Sequence, residues 1–141
     1  NNICASIPEL LTKSDLVIST TASTEVIIHA SDLQEQKHII ALGADDIHKR
    51  ECEPAIFAQA NIIVVDSLSQ AVKFGDTFHA IKAGVITLDK VVELGSILQS
   101  KSAPNANLII TDLTGIAAQD IAIAEFALKK IYQADFELSG S

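Results

Sequence analysis

Short runs of aliphatic, mostly β-branched residues alternate along the chain with longer stretches of helical spacing. Four runs read as buried parallel strands: residues 15–19 (DLVIS), 38–42 (HIIAL), 61–65 (NIIVV) and 107–110 (NLII). Strands covered on both faces carry such near-continuous apolar sequence. The last three runs end at Gly43, at Asp66, and at Thr111 with Asp112. Ser6-Ile7-Pro8-Glu9 is a capping box with proline in the first turn, which predicts a short helix to about Lys13. Further helical stretches cover residues 53–59, 67–73 and 91–99, with another running from Asp76 or Thr77 to Gly84. Near the end, Ala117, Ile121, Ala124, Leu128 and Ile131 recur at intervals of three and four and form one apolar stripe. Residues 101–106 (KSAPNA) read as a surface loop. Strands alternating with helices predict an α/β fold, a parallel sheet with flanking helices and right-handed crossovers.

In an open α/β sheet, ligands sit beyond the carboxyl ends of the strands. The loops at 20–23, 43–46 and 111–115 are therefore expected to line one crevice. The segment after the second strand, Gly43-Ala44-Asp45-Asp46-Ile47-His48-Lys49-Arg50-Glu51, is the densest polar cluster. A carboxylate there, Asp45 or Asp46, has the chemistry of a general base if partial burial raises its proton affinity. The structural alternative is that Asp46 caps the next helix and the rest is a solvated charge cluster. Thr114 is a candidate cap for the final helix, whose first amides would suit a carboxylate or phosphate. Asp66-Ser67 reads as an ordinary strand-to-helix cap. The histidines are His29, His38, His48 and His79, and none makes a metal-binding spacing with another. His48 and Cys52 stand four apart on a possible helix, but two ligands without a third are too few, so no metal is expected.

Composition narrows the classes further. The chain has 141 residues, about one domain, with 10 Lys and Arg against 18 Asp and Glu for a net charge of −8. That balance argues against nucleic acid and anionic membrane as partners, since both need a basic face. No apolar run is long enough to span a bilayer. Two cysteines, Cys4 and Cys52, suggest a reducing, cytoplasmic setting. The sequence holds no Met and opens on Asn1-Asn2-Ile3 beside a helix signal, so it is read as a piece of a longer protein. No G-x-S-x-G elbow, Walker loop or G-x-G-x-x-G turn is present.

Four blocks in order resemble the ornithine cyclodeaminase/mu-crystallin family. They are residues 15–23 (DLVISTTAS), then Gly43-Ala44-Asp45 with Lys49 and Glu51, and Val65-Asp66-Ser67 with Gln70-Ala71, Gly75-Asp76, Ala80-Ile81, Gly84 and Glu93-Leu94-Gly95. The fourth is residues 112–120 (DLTGIAAQD). The resemblance implies a partial Rossmann-like parallel sheet that lacks the first β-α phosphate-binding unit. The chain would be one α/β domain over residues 1–141: the C-terminal half of a dinucleotide-binding domain with a C-terminal helix. It further implies an NAD- or NADP-dependent oxidoreductase of the C–N bond, acting on a small amino or imino acid, in a homodimeric parent.

Residue by residue, the resemblance makes Asp45 the catalytic carboxylate, which moves a proton or activates water at the iminium carbon. Thr21, Ala41, Leu42, Lys49 and Leu113 would contact the cofactor, and Thr114 the substrate. Asp46-Ile47-His48 replaces the family's Pro-Gly turn, and Asp112-Leu113-Thr114 replaces the Lys-Ser pair of the cyclodeaminases. The D-L-T-G form is similar to branches that reduce imino acids or break down ectoine. The glycine turn for pyrophosphate and the family's substrate-carboxylate Arg and Lys have no counterpart, so the chain by itself is expected to be inactive. The alternative is a non-catalytic, crystallin-like protein that binds NAD(P)H or another small ligand.

Overall fold

A computed structural model describes residues 2–33, 37–100 and 106–139, with side chains to residue 132. The loop expected at 101–106 falls, but for Ala106, outside the described residues. The strands are β1 (Leu16–Ser19), β2 (Lys37–Ala41), β3 (Ile62–Val65), β4 (Val91–Glu93) and β5 (Leu108–Asp112). The helices are α1 (Ile7–Lys13), α2 (Pro54–Gln59), α3 (Leu68–Ala71), α4 (Asp76–Lys82), α5 (Leu94–Ser100) and α6 (Ala117–Ser139). All strand pairs are parallel, and the sheet order is β1-β2-β5-β3-β4.

The last strand therefore inserts at the centre. Ile110 of β5 pairs with Ile39 of β2 on one side and Ile63 of β3 on the other. All three side chains are buried, with Ile56 and Phe57 of α2, Ala80 of α4 and Leu11 of α1 in the same cluster. Central β-branched residues bury both faces of the sheet, and each fully buried Ile contributes about 1.5–3 kcal/mol.

α1 forms as its sequence dictates. The Ser6 hydroxyl accepts from the Glu9 amide, while the Glu9 carboxylate reaches back to the Ala5 amide and across to Lys13. Several expected boundaries are corrected. Residues 91–99 are not one helix: Val91–Glu93 is the edge strand β4, and the helix begins at Leu94. The β-branched Val91 and Val92 pair with Ile63 and Val64 of β3, and that strand preference overrides the helical spacing. The fourth apolar run continues through Thr111 and Asp112, because β2 and β3 both supply ladder partners there. The helix expected over 67–73 keeps only Leu68–Ala71 as α-helix. α4 is capped by Gly75 at φ +92°, so Asp76 and Thr77 lie in its first turn rather than at the cap.

The first run is covered on one face only. Val17 and Ser19 are buried, whereas Leu16 and Ile18 face out at the sheet edge. The apolar residues of α6 also lie uncovered, with Ile121, Phe126, Leu128 and Ile131 all more than half exposed. Among the described residues no helix is long and apolar enough to cross a membrane.

Candidate functional site

The carboxyl ends of β1, β2 and β5 lie side by side, and the turns that leave them are bonded to one another. The Leu42 amide donates to the Ser19 carbonyl at 2.8 Å, and the Leu113 amide to the Ala41 carbonyl at 2.9 Å. One edge thus gathers Thr21 after β1, Ala41, Leu42 and Asp45 at the end of β2, and Leu113 and Thr114 after β5. Ala41 is buried and leaves its backbone at the edge. Leu42 is 40% exposed, and Leu113 is half-buried. Thr21 is exposed, and its hydroxyl oxygen accepts from the Ser23 amide.

Asp45 stands in the open part of this edge, two residues past Gly43. Its carboxylate meets the Lys49 ammonium at 2.6 Å. That contact, foremost, holds the Lys49 pKa above its ordinary value. Asp46 points elsewhere: Oδ1 accepts from the His48 and Lys49 amides, which holds its carboxyl below the usual range. It closes a polar turn and caps no helix, since residues 44–51 are not helical. The pairing of His48 with Cys52 fails for the same reason. Cys52 sits buried in a bridge to Ile28, and burial pushes its thiol well above the ordinary pKa. Among the described residues no three His, Cys, Asp or Glu side chains converge as a metal would require.

Thr114 does not cap α6. Its hydroxyl donates to Asp66 Oδ1 at 3.2 Å, while the Gly115 amide donates to Asp66 Oδ2 at 2.7 Å. Gln70 Nε2 donates to the Gly115 carbonyl from α3. Asp66-Ser67 is therefore not the expected side-chain cap, since α3 begins after Ser67 with no side-chain cap bond; Asp66 instead ties the loop after β5 to the end of β3. Of the histidines, His38 pairs with Thr111 at 2.8 Å, and His79 Nε2 meets the Lys49 carbonyl at 3.0 Å. Burial lowers the pKa of both rings.

Beneath the edge lies a set of buried carboxylates that spacing alone does not single out. Glu51 is fully buried and accepts from the Ser19 hydroxyl, the Thr21 amide and the Gly43 amide. Asp76 Oδ1 accepts from the Glu51 and Cys52 amides at 2.9 and 3.0 Å. Asp112 Oδ2 accepts from the Thr77 amide at 2.6 Å. Burial above all, with the Asp112 charge second, raises Asp76 to about 7. Burial likewise raises Asp112 to about 6 against the Thr77 and Asp76 bonds. No spacing signal marks Glu51 as buried, because it follows Lys49 and Arg50 in a charged loop that reads as solvated.

The edge offers apolar and backbone surface, a hydroxyl and a carboxylate, which can hold a flat apolar ring and exchange a proton with a small polar ligand. The described residues include no glycine-rich turn at a helix start, the usual cradle for pyrophosphate.

Comparison with known proteins identifies the family. A family model for the ornithine cyclodeaminase/mu-crystallin family matches residues 2–135. An iminosuccinate reductase of Paracoccus denitrificans is 35% identical over 115 residues, 80% of this chain and 36% of the relative. An uncharacterized cyclodeaminase of Sinorhizobium fredii is 38% identical over 119 residues, 82% of this chain and 36% of the relative. The solved Paracoccus reductase in complex with NAD+ superposes with a TM-score of 0.85 at 31% identity, over 93% of this chain and 41% of that one. An archaeal alanine dehydrogenase dimer with bound NAD gives 0.76 at 31% identity, over 86% and 39%. The chain thus spans little more than a third of the length of these curated relatives. Within that span it belongs to the ornithine cyclodeaminase/mu-crystallin family.

Proposed function

We propose that this chain contributes the nicotinamide-facing edge and the acid–base carboxylate of an NAD- or NADP-dependent oxidoreductase of amino or imino acids. The observation that carries the reading is the meeting of Asp45, Thr21, Leu42, Leu113 and Thr114 on one sheet edge in a chain of this family. Two relatives above 30% identity, the iminosuccinate reductase and an Archaeoglobus fulgidus alanine dehydrogenase, support a C–N substrate class.

When bound, the nicotinamide supplies the hydride chemistry. Thr21 and the Ala41–Leu42 backbone would hold that ring's end of the cofactor, and Leu113 would contact it. Lys49 lies on the cofactor side and aims the Asp45 carboxylate through their ion pair. Asp45 moves the proton at the substrate's C–N centre, and Thr114, fixed by Asp66, orients the substrate. We assign residues 1–141 to the second half of the dinucleotide-binding domain and its following helix. The pyrophosphate cradle and the groups for the substrate carboxylate belong to the remaining length that the relatives have. The chain by itself is therefore inactive and binds dinucleotide weakly or not at all, and the native-length protein is a homodimer. The archaeal dimer supports that last assignment.

The test is Asp45→Asn in the native-length protein, assayed by NAD(P)H oxidation with imino acids or with keto acids plus ammonia. Loss of an acid–base group costs about 10²–10⁴-fold in kcat, while NAD(P)H affinity should stay within severalfold. Near-normal turnover refutes the role of Asp45. Cofactor binding without turnover in the unsubstituted protein refutes the oxidoreductase reading.

A further inference from the structure

Glu51 is a buried acid that the proposed chemistry does not use. No pairing of its carboxylate with a Lys, Arg or His occurs among the described residues. Burying a polar side chain is costly unless hydrogen-bond partners satisfy it. Here three do: the Ser19 hydroxyl and Thr21 amide meet Oε1, and the Gly43 amide meets Oε2 at 2.9 Å. An apolar side chain here would leave the Thr21 and Gly43 amides without this acceptor, so the two turns depend on the carboxylate.

The donors identify what it does. Thr21 belongs to the turn after β1, Gly43 to the turn after β2, and each oxygen serves one turn. The turns are already in contact: a Cβ on Gly43 would stand 1.9 Å from the Thr21 carbonyl oxygen and 2.6 Å from Glu51 Oε1. Glu51 itself is held from behind. Its amide donates to Asp76 in α4, and the Lys49 carbonyl two residues earlier is tied to His79 of the same helix. Its own carbonyl receives the Ile27 and Ile28 amides at 2.9 Å.

We propose that Glu51 is a positioning residue whose carboxylate clamps the turn after β1 to the turn after β2, and so fixes the Asp45 loop relative to Thr21. The clamp rests on geometry alone; its effect on turnover rests on the function proposed above. A carboxylate suits the task because both oxygens accept, whereas glutamine must place an NH2 against one amide donor. Glu51→Gln therefore breaks one arm of the clamp with almost no change of shape.

The experiment has two arms. Amide hydrogen exchange of this chain should quicken at least tenfold at Thr21 or Gly43 in Glu51→Gln, with Ile39 and Ile110 unchanged. Uniform quickening, or none, overturns the clamp. In the native-length protein, kcat should fall at least tenfold while the NAD(P)H dissociation constant moves less than fivefold. Faster local exchange with kcat within twofold of normal overturns the positioning role. Should Glu51→Gln fail to fold, Glu51→Asp carries both arms, because the shorter carboxylate cannot reach both turns. If the unsubstituted native-length protein shows no turnover, the proposed function fails, and the exchange arm still decides the clamp.

Discussion

Gly43 is where sequence and site meet most tightly. Its φ is not positive, so the reason for glycine is not backbone conformation but the Thr21 carbonyl, which leaves no room for a methyl group. Gly43→Ala should force the two turns apart and cost about 1–3 kcal/mol, as overpacking does. The urea midpoint measures that cost, and an unchanged midpoint would mean that the turns separate freely. Gly75 is different: it combines φ +92° with Asp112 Oδ2 only 2.9 Å from where a Cβ would stand, so both strain and space require it. At this scale the sequence is partly readable. Asp45 stands out because a carboxylate just past a strand end is open to ligand, and the fold does leave it there. Asp66 reads as a plain cap because its partners, Thr114 and Gly115, come nearly fifty residues later. Glu51, Asp76 and Asp112 escape notice as a group for the same reason, since only the fold brings their donors near.

The elements divide by how completely this chain buries them. β2, β3 and β5 are legible from their unbroken branched runs, because each is covered on both faces. β4 is not, since a three-residue edge strand with one exposed valine carries too little pattern. The central position of β5 is equally hidden, as sequence order says nothing of which strands pair. β1 and α6 present the converse case, with apolar patterns that this chain buries on one face of β1 and leaves exposed along the described part of α6. α6 has a clear stripe, yet Ile121 and Leu128 remain 67% and 53% exposed. Substituting both with Ser should therefore shift the stability of this chain, read from its urea midpoint, by no more than about 0.5 kcal/mol. Ile110→Ala, at the centre of the sheet, should cost about 2–5 kcal/mol. Comparable losses from the two variants would show that α6 packs on the sheet after all.

For the whole molecule the buried acids set a pH dependence opposite to that of most acidic side chains. Exposed carboxylates such as Asp46 and Asp89 are held below their ordinary pKa by local donors, and they favour the fold once ionised. Asp76 is raised from 3.8 to about 7, chiefly by burial and then by the Asp112 charge. Asp112 is raised to about 6. A raised carboxyl keeps its proton in the fold after the unfolded chain has released it. Stability from Asp76 is thus full below pH 3.8, falls as the pH climbs from there to about 7, and is level above. With about 1.4 kcal/mol for each pH step crossed, the ceiling is about 4 kcal/mol. The overall charge of −8 acts in the same direction, because self-repulsion grows as carboxyls ionise. Asp76→Asn separates the two effects. Its side-chain oxygen keeps both backbone bonds now made by Oδ1, and the buried charge is gone. The urea midpoint of the unsubstituted chain should drop between pH 5 and pH 8, and Asp76→Asn should flatten most of that drop while exceeding the parent at pH 8. A parallel decline in both proteins would mean that Asp76 carries none of the dependence, which would then rest with Asp112 and the net charge.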